Sequence, residues 1–455
     1  MYKTDTMIIG AGLTGLTCAH YLAKKDRDFL IVDKQAKIGG VIGTVQEDGF
    51  LYETGPNTGV VSHPEVADLF DELKEHMTYE NADEKSEKRY VLKDGKWVAL
   101  PSGLIGGITT PLFSWSDKFR LLGEPFRAPG TNPNESLADM VKRRMGKSFL
   151  NYAVDPFILG IYAGDPAQLV PKYALPKLYN LEQDYGSFIG GTIKKKRKEN
   201  DPEAKKATRK IFSVVGGLER LMEALQKSSG AEKCLLGIQN ISVEKSAAGY
   251  LLKGTRASGD DVSIEANHII STVGAYAIRE LFPFFADNHI RNIENLHYTK
   301  VIEVAVGFKK WTGRPLDAFG ALIPHREMRD ILGIMFMSSL FKNRAPVDGA
   351  LMTIFIGGVR RQELCDLDDN GVKELLETEL TDLLELKEFN PDLFKIMRHT
   401  HAIPQYREDS EARYIAIEAL QKEYQGLVLA GNIRDGIGMA DRIKQGKMIA
   451  EGLYK

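Results

Sequence analysis

Apolar residues fall along the chain in two patterns. Residues 6–9, ending Met7-Ile8-Ile9, and Phe29-Leu30-Ile31-Val32 are short runs without polar alternation, as expected of strands buried on both faces. Residues 16–23 between them read as a helix. Leu427-Val428-Leu429 reads as a further buried strand, and a final helix opens at Gly436-Ile437-Gly438-Met439-Ala440-Asp441 and runs to Leu453. Strand, helix and strand at this spacing predict a βαβ unit and a parallel sheet, hence an α/β protein.

At 455 residues, with 43% hydrophobic and 27% charged side chains, the chain has the composition of a soluble globular protein of two or three modules. Sixty basic side chains against 62 acidic ones leave a formal charge of -2 and no global positive field for nucleic acid. Cys18, Cys234 and Cys365 are far apart and form no CxxC, so neither a disulfide framework nor a zinc ribbon is expected, and a reducing, cytoplasmic setting fits. The first strand begins so early that no removable leader is expected. Residues 97–116 carry no charge over twenty positions, but Pro101, Gly103, Gly106, Gly107 and Pro111 interrupt them. Such a stretch suits peripheral contact with a membrane better than crossing one.

The chemistry begins at Gly10-Ala11-Gly12-Leu13-Thr14-Gly15, between the first strand and the first helix. Gly10 permits the turn, Gly12 lets backbone N–H groups approach a diphosphate at the helix N-terminus, and Gly15 allows close packing of helix on strand. The next strand ends in Asp33-Lys34, where a carboxylate can accept hydrogen bonds from ribose hydroxyls. Either NAD or FAD fits so far.

Ile38-Gly39-Gly40-Val41-Ile42-Gly43-Thr44 and Tyr52-Glu53-Thr54-Gly55-Pro56-Asn57-Thr58 resemble the flavin amine-oxidase superfamily. The resemblance implies that Gly39, Gly40 and Val41 run beside the diphosphate and ribityl chain of FAD, and that Gly55, Pro56, Asn57 and Thr58 lie near the isoalloxazine. The superfamily often has a basic residue where Val41 stands. At the other end, Gly431-Asn432 and Ile437-Gly438-Met439 resemble the C-terminal flavin motif, whose helix N-terminus favours negative charge near N1 of the reduced ring. Residues 212–225, 237–243 and 266–272 return to the same domain, which is thus discontinuous. Ile241 is the expected adenine contact, with Asn240 the alternative register. There is no second GxGxxG and no cysteine pair, which turns the reading from disulfide reductase to oxidase.

The centre of the chain narrows the resemblance. Asp155-Pro156-Phe157-Ile158-Leu159-Gly160-Ile161-Tyr162-Ala163-Gly164-Asp165-Pro166 is similar to the helical-domain signature of the protoporphyrinogen/coproporphyrinogen oxidase family. Phe319-Gly320, Ile323-Pro324, Arg344-Ala345-Pro346, Phe355-Ile356-Gly357-Gly358 and Pro404-Gln405-Tyr406 follow in that family's order, so the resemblance covers essentially the whole chain. One departure is Arg407-Glu408-Asp409-Ser410, where the family usually has Gly-His.

The resemblance implies a Rossmann-like FAD domain of the p-hydroxybenzoate-hydroxylase/amine-oxidase type (1–75, 207–290, 410–455), a sheet-plus-helix substrate domain (76–101, 291–409) and a helical, membrane-facing domain (102–206). It implies noncovalent FAD and oxidation of a porphyrinogen to a porphyrin in three two-electron cycles, with oxygen as acceptor and pyrrole protons going to solvent, so no side-chain base is obligatory. Protoporphyrinogen IX and coproporphyrinogen III both remain open as substrate, as does a homodimer. Arg89 matches a family arginine thought to hold a propionate, although it sits in a charged run that could simply be solvated. His399, spaced before Pro-Gln-Tyr where relatives place a flavin contact, is a further cofactor candidate; with His401 it forms an HxH that lacks a third ligand, so no metal is expected. The basic run 194–198 is expected to be an exposed loop. An amine or carotenoid oxidoreductase, or a porphyrin-binding flavoprotein without turnover, are the alternatives.

Overall fold

The structure, a computed structural model, describes residues 1–101, 106, 109–198, 202–247 and 249–452. Gly103, Gly107 and Leu453, singled out above, therefore lie outside the described residues.

Strands Tyr2–Ile9 and Phe29–Val32 run parallel, Thr6 opposite Phe29, with the helix Leu13–Ala23 between them in sequence. Met7, Ile8 and Ile31 are completely buried, which is why these strands lack polar alternation. The helix begins earlier than its apolar pattern suggests, because Leu16 N–H already donates to the Gly12 carbonyl. Asp261–Ser271 lies parallel on the other side of the first strand. It in turn pairs with Leu427–Leu429 in parallel and with Gly249–Thr255 antiparallel, and Gln239–Ser246 extends the sheet. Three separated stretches of chain thus share one sheet, as a discontinuous domain requires.

The second sheet runs in the order Leu393–His399, Val301–Phe308, Ala350–Gly357, Ile331–Met335, Gly320–Leu322, Arg89–Lys93, Lys96–Ala99. Alternation along its central strand sets the packing. Ile302, Val304 and Val306 face Val372, Leu376 and Leu380 of the helix Asp369–Leu383, whereas Ala305 faces Phe50 and Tyr52 of the hairpin Thr44–Glu47/Phe50–Glu53. That second face is the seam between the two sheets. Tyr79–Asn81 pairs with Ile211–Val214 in a small separate sheet, so the chain enters the second sheet only at Arg89.

Helices lie between the two halves of the second sheet in sequence, and Asp155–Tyr162 packs over strands Gly320–Leu322 and Ile331–Met335. Arg144, fully buried, holds this module together by donating to Glu124 and Glu182, both also buried. The basic run expected as a loop instead lies on the helix Phe188–Lys198; lysine and arginine are good helix formers, and nothing before residue 199 interrupts them. Trp97 departs from the expectation of an apolar surface stretch: it sits in the strand Lys96–Ala99 and donates through Nε1 to the Leu383 carbonyl at 2.8 Å. Exposed apolar surface starts further on, at Trp115, Phe119, Leu122 and Phe126. No helix of the described residues is long and apolar enough to cross a membrane.

Candidate active site

The two N-terminal glycine motifs form one backbone surface. Gly10 N–H donates to the Val32 carbonyl at 2.8 Å and Ala11 N–H to Asp33 Oδ2 at 2.7 Å, so the Asp33 carboxylate ties the loop to the end of the second strand. Gly39 N–H donates to the Ala11 carbonyl at 2.8 Å, and Gly12 and Gly39 form a parallel bridge. Leu13, Thr14 and Gly15 are buried in the first turn of the helix. Gly12 has an ordinary φ of -82°, and a Cβ there would meet nothing within 4 Å. Neither strain nor packing demands glycine at that point; the approach of a ligand to the helix N-terminus does. The residues present therefore fit a dinucleotide diphosphate.

The second flavin motif touches the first. A Cβ on Gly55 would lie 2.0 Å from the Val41 carbonyl oxygen, while the Val41 side chain is exposed. Pro56 and Thr58 flank Asn57, which is buried and fully engaged within the protein. Its Nδ2 donates to the Gly55 carbonyl at 3.0 Å and to Glu303 Oε1 at 2.6 Å, and its Oδ1 accepts from the Thr353 hydroxyl at 2.8 Å. His399 Nε2 lies 3.2 Å from the other oxygen of Glu303. His399 thus reaches the motif through Glu303.

The C-terminal motif is held by buried polar side chains. Gly431 N–H donates to Gln445 Oε1 at 2.8 Å, and Asn432 Oδ1 accepts from the Tyr298 hydroxyl at 3.1 Å. Arg442 donates to the carbonyls of Arg434, Asp435 and Gly436, fixing the loop that delivers Ile437 and Gly438 to the start of the helix Met439–Gly452. Asp441 caps that start, accepting from Gly438 N–H at 3.1 Å and from His63 Nε2 at 3.0 Å. A Cβ on Gly446 would come within 2.7 Å of the Thr14 carbonyl oxygen, so this helix packs directly on the dinucleotide helix. Both ends of the chain meet at one place.

Two further candidates, Ile241 and Arg89, lie outside the glycine motifs. Ile241 packs against the buried cluster of the first sheet; the residues beside Asp33 and Lys34 are Ile238, whose N–H donates to the Asp33 carbonyl, and Gln239, whose Nε2 donates to the Lys34 carbonyl at 2.6 Å. The reason is a bulge between Gln239 and Ser242, where Asn240 takes a φ of 52° and shifts the register. Arg89 is exposed, like Glu87 and Lys88 before it, but its guanidinium rests against one neighbour. It opens the strand Arg89–Lys93 opposite Gly320, and its guanidinium lies 5.0 Å from the centre of the Phe319 ring. Desolvation by the groups packed around that guanidinium pulls its pKa down, and among the described residues no hydrogen bond or ion pair engages its side chain.

The electrostatics of the seam come from Glu53, inside the second motif, and from Glu303, which no motif contains. Glu53 and Glu303 are almost completely buried. Burial raises the Glu53 carboxyl to about 7, against the opposing effects of the Thr44 hydroxyl, Leu218 N–H and Arg344. Burial also raises Glu303, opposed by His399 and Asn57. The available signal for Glu303 was a lone acid inside the apolar strand Val301-Ile302-Glu303-Val304-Ala305-Val306; Thr353 and Arg442 had none.

The chain is 28% identical to protoporphyrinogen oxidase 2, chloroplastic/mitochondrial, of Arabidopsis thaliana over 98% of this chain and 92% of that one. It is also 28% identical to coproporphyrinogen III oxidase of Bacillus subtilis (strain 168), over 98% and 97%. A crystal structure of a protein assigned as a protoporphyrinogen oxidase from Exiguobacterium sp. 255-15 superposes with a TM-score of 0.81 at 21% identity, over 99% of this chain and 98% of that one. A model of the family described as flavin containing amine oxidoreductase matches residues 13–453, and the chain belongs to that family.

Proposed function

We propose that the chain is an FAD-dependent oxidase that converts a porphyrinogen to a porphyrin in haem biosynthesis, with oxygen as the acceptor. The observation that carries this reading is the likeness, over almost the full length of the chain, to relatives named for oxidising protoporphyrinogen and coproporphyrinogen III. FAD supplies two-electron oxidation when bound. In this reading the Gly12 loop and helix N-terminus hold its diphosphate and Asp33 its adenosine ribose. Gly39, Gly40, Val41 and loop 55–58 line the chain and ring, and Gly431, Asn432 and residues 437–439 close the far side. Arg89 offers a planar fork to a propionate. Exposed Trp115, Phe119 and Leu122, spaced i, i+4 and i+7 on one helix, give the protein a face for peripheral membrane contact in the cytoplasm.

Anaerobic mixing of the FAD-loaded protein with protoporphyrinogen IX and with coproporphyrinogen III tests the reading. At least one should bleach the flavin, and air should restore the colour with the appearance of porphyrin fluorescence. Bleaching by simple amines and by neither porphyrinogen would overturn it.

A further inference from the structure

Glu303 is a carboxylate in the middle of an apolar strand, 2% exposed, reaching out of the second sheet to Asn57 in the loop that follows the second glycine motif. A buried carboxylate needs a compensating charge or a proton. The groups facing it from the elements around it are few. Hairpin 44–53 brings Glu53, a second acid; strand 350–357 brings the neutral Thr353; strand 393–399 brings His399, while Lys395 on that strand is engaged with Glu47. The nearby buried cation, Arg344, is taken by Glu80 at 3.0 Å and Glu53 at 3.6 Å. That leaves His399 to balance Glu303, at 3.2 Å and on the half-exposed end of its strand. Together the two can hold one proton inside the seam and exchange it with solvent through the imidazole.

We propose that Glu303 and His399 form a proton-sharing pair that positions Asn57, and through it the loop 55–58 that faces the flavin. Both hydrogens of the Asn57 amide are committed, one to Glu303 and one to Gly55, so loss of the Glu303 acceptor leaves a buried amide hydrogen unpaired and weakens the hold on the loop. Loss of the shared proton leaves two buried acids, Glu303 and Glu53, facing each other across the same loop. The flavin environment therefore changes with the protonation of a pair on the opposite sheet. This rests on the placement of FAD given above.

The test is the visible absorption of the FAD-loaded protein, titrated from about pH 5 to about pH 9. Wild type should show a titration of the flavin bands, and Glu53→Gln, which removes the other acid that changes charge near pH 7, should retain it. Glu303→Gln, which keeps the acceptor for Asn57 but cannot ionise, should retain FAD and lose the titration, and His399→Gln should shift or abolish it. Glu303→Ala should bind FAD roughly tenfold to a hundredfold more weakly, as expected when a charge-assisted hydrogen bond is lost. A titration unchanged in both Glu303→Gln and His399→Gln overturns the pair, and so does a wild-type spectrum indifferent to pH. His399→Gln decides the matter if changes at Glu303 prevent folding. A wild-type chain that takes up no FAD overturns the flavin placement itself, and the pair's role with it.

Discussion

Gly12, at the N-cap of the first helix, and Gly15, in its first turn, are glycine for opposite reasons: a Cβ on Gly15 would stand 2.0 Å from the Gly10 carbonyl oxygen, while one on Gly12 would meet nothing within 4 Å. The first serves the approach of a ligand, the second the packing of helix on strand. Gly12→Val should therefore leave the unfolding temperature of the apoprotein unchanged and abolish FAD uptake. Gly15→Val should lower apoprotein stability, by about 1–3 kcal/mol as for other overpacked cores. Calorimetry of both apoproteins, with FAD titration of each, checks the pair of outcomes.

The stacked guanidinium of Arg89 gives a second expectation. Arg89→Ala should weaken porphyrinogen binding by roughly 1.5–3 kcal/mol, the range for a hydrogen bond to a charged group, with FAD still bound. Lysine should recover only part, since it keeps charge and loses the fork. Steady-state kinetics with free-acid and esterified porphyrinogens measure this: unchanged KM and kcat for the free acids would place Arg89 outside the site.

Glu53 should make stability depend on pH. Its carboxyl, raised by burial from 4.5 to about 7, holds its proton more tightly folded than unfolded. The stability it contributes is therefore complete below about pH 4.5 and is lost as pH rises through about 7. Every tenfold tightening of proton binding on folding contributes about 1.4 kcal/mol. Glu53→Gln, which keeps an acceptor for Leu218 N–H and turns an amide NH2 towards the Thr44 hydroxyl, should flatten the fall in denaturation midpoint between about pH 5 and pH 8. An equally steep fall in the variant would assign it to other groups.

The helix Trp115–Leu122 leaves Leu122 70% exposed and the following Phe126 91% exposed. Leu122→Asp with Phe126→Asp should reduce co-sedimentation with anionic vesicles and spare FAD binding, because neither side chain packs in a core. Sedimentation that survives both changes would place the contact elsewhere.

Much of this protein is local in its sequence. Gly10 to Gly15, Asp33 at a strand end and the glycines at 39, 40 and 55 act through backbone freedom and close approach, which belong to the residue itself, so the parallel pairing of the first two strands could be read directly, while the antiparallel strands 239–246 and 249–255 of the same sheet could not. Met7 to Ile9 and Leu427 to Leu429 are apolar enough to be recognised as buried. Other features depend on contacts that no local pattern contains. Asn57, Glu303, Thr353 and His399 meet across the seam, and their chemistry exists only once Ala305 packs on Phe50 and brings the seam together. The bulge at Asn240 sets Ile238 and Gln239, and not Ile241, beside Lys34, because one residue in a left-handed conformation shifts the register of everything after it. Trp97 pairs with Leu92 in its hairpin, but its indole is held by the carbonyl of Leu383, nearly 300 residues away. The sequence by itself determined where glycines open the backbone at a strand end and a helix start; tertiary packing decided which buried charges stand near them, since the cost of burying a charge is settled by partners distant along the chain.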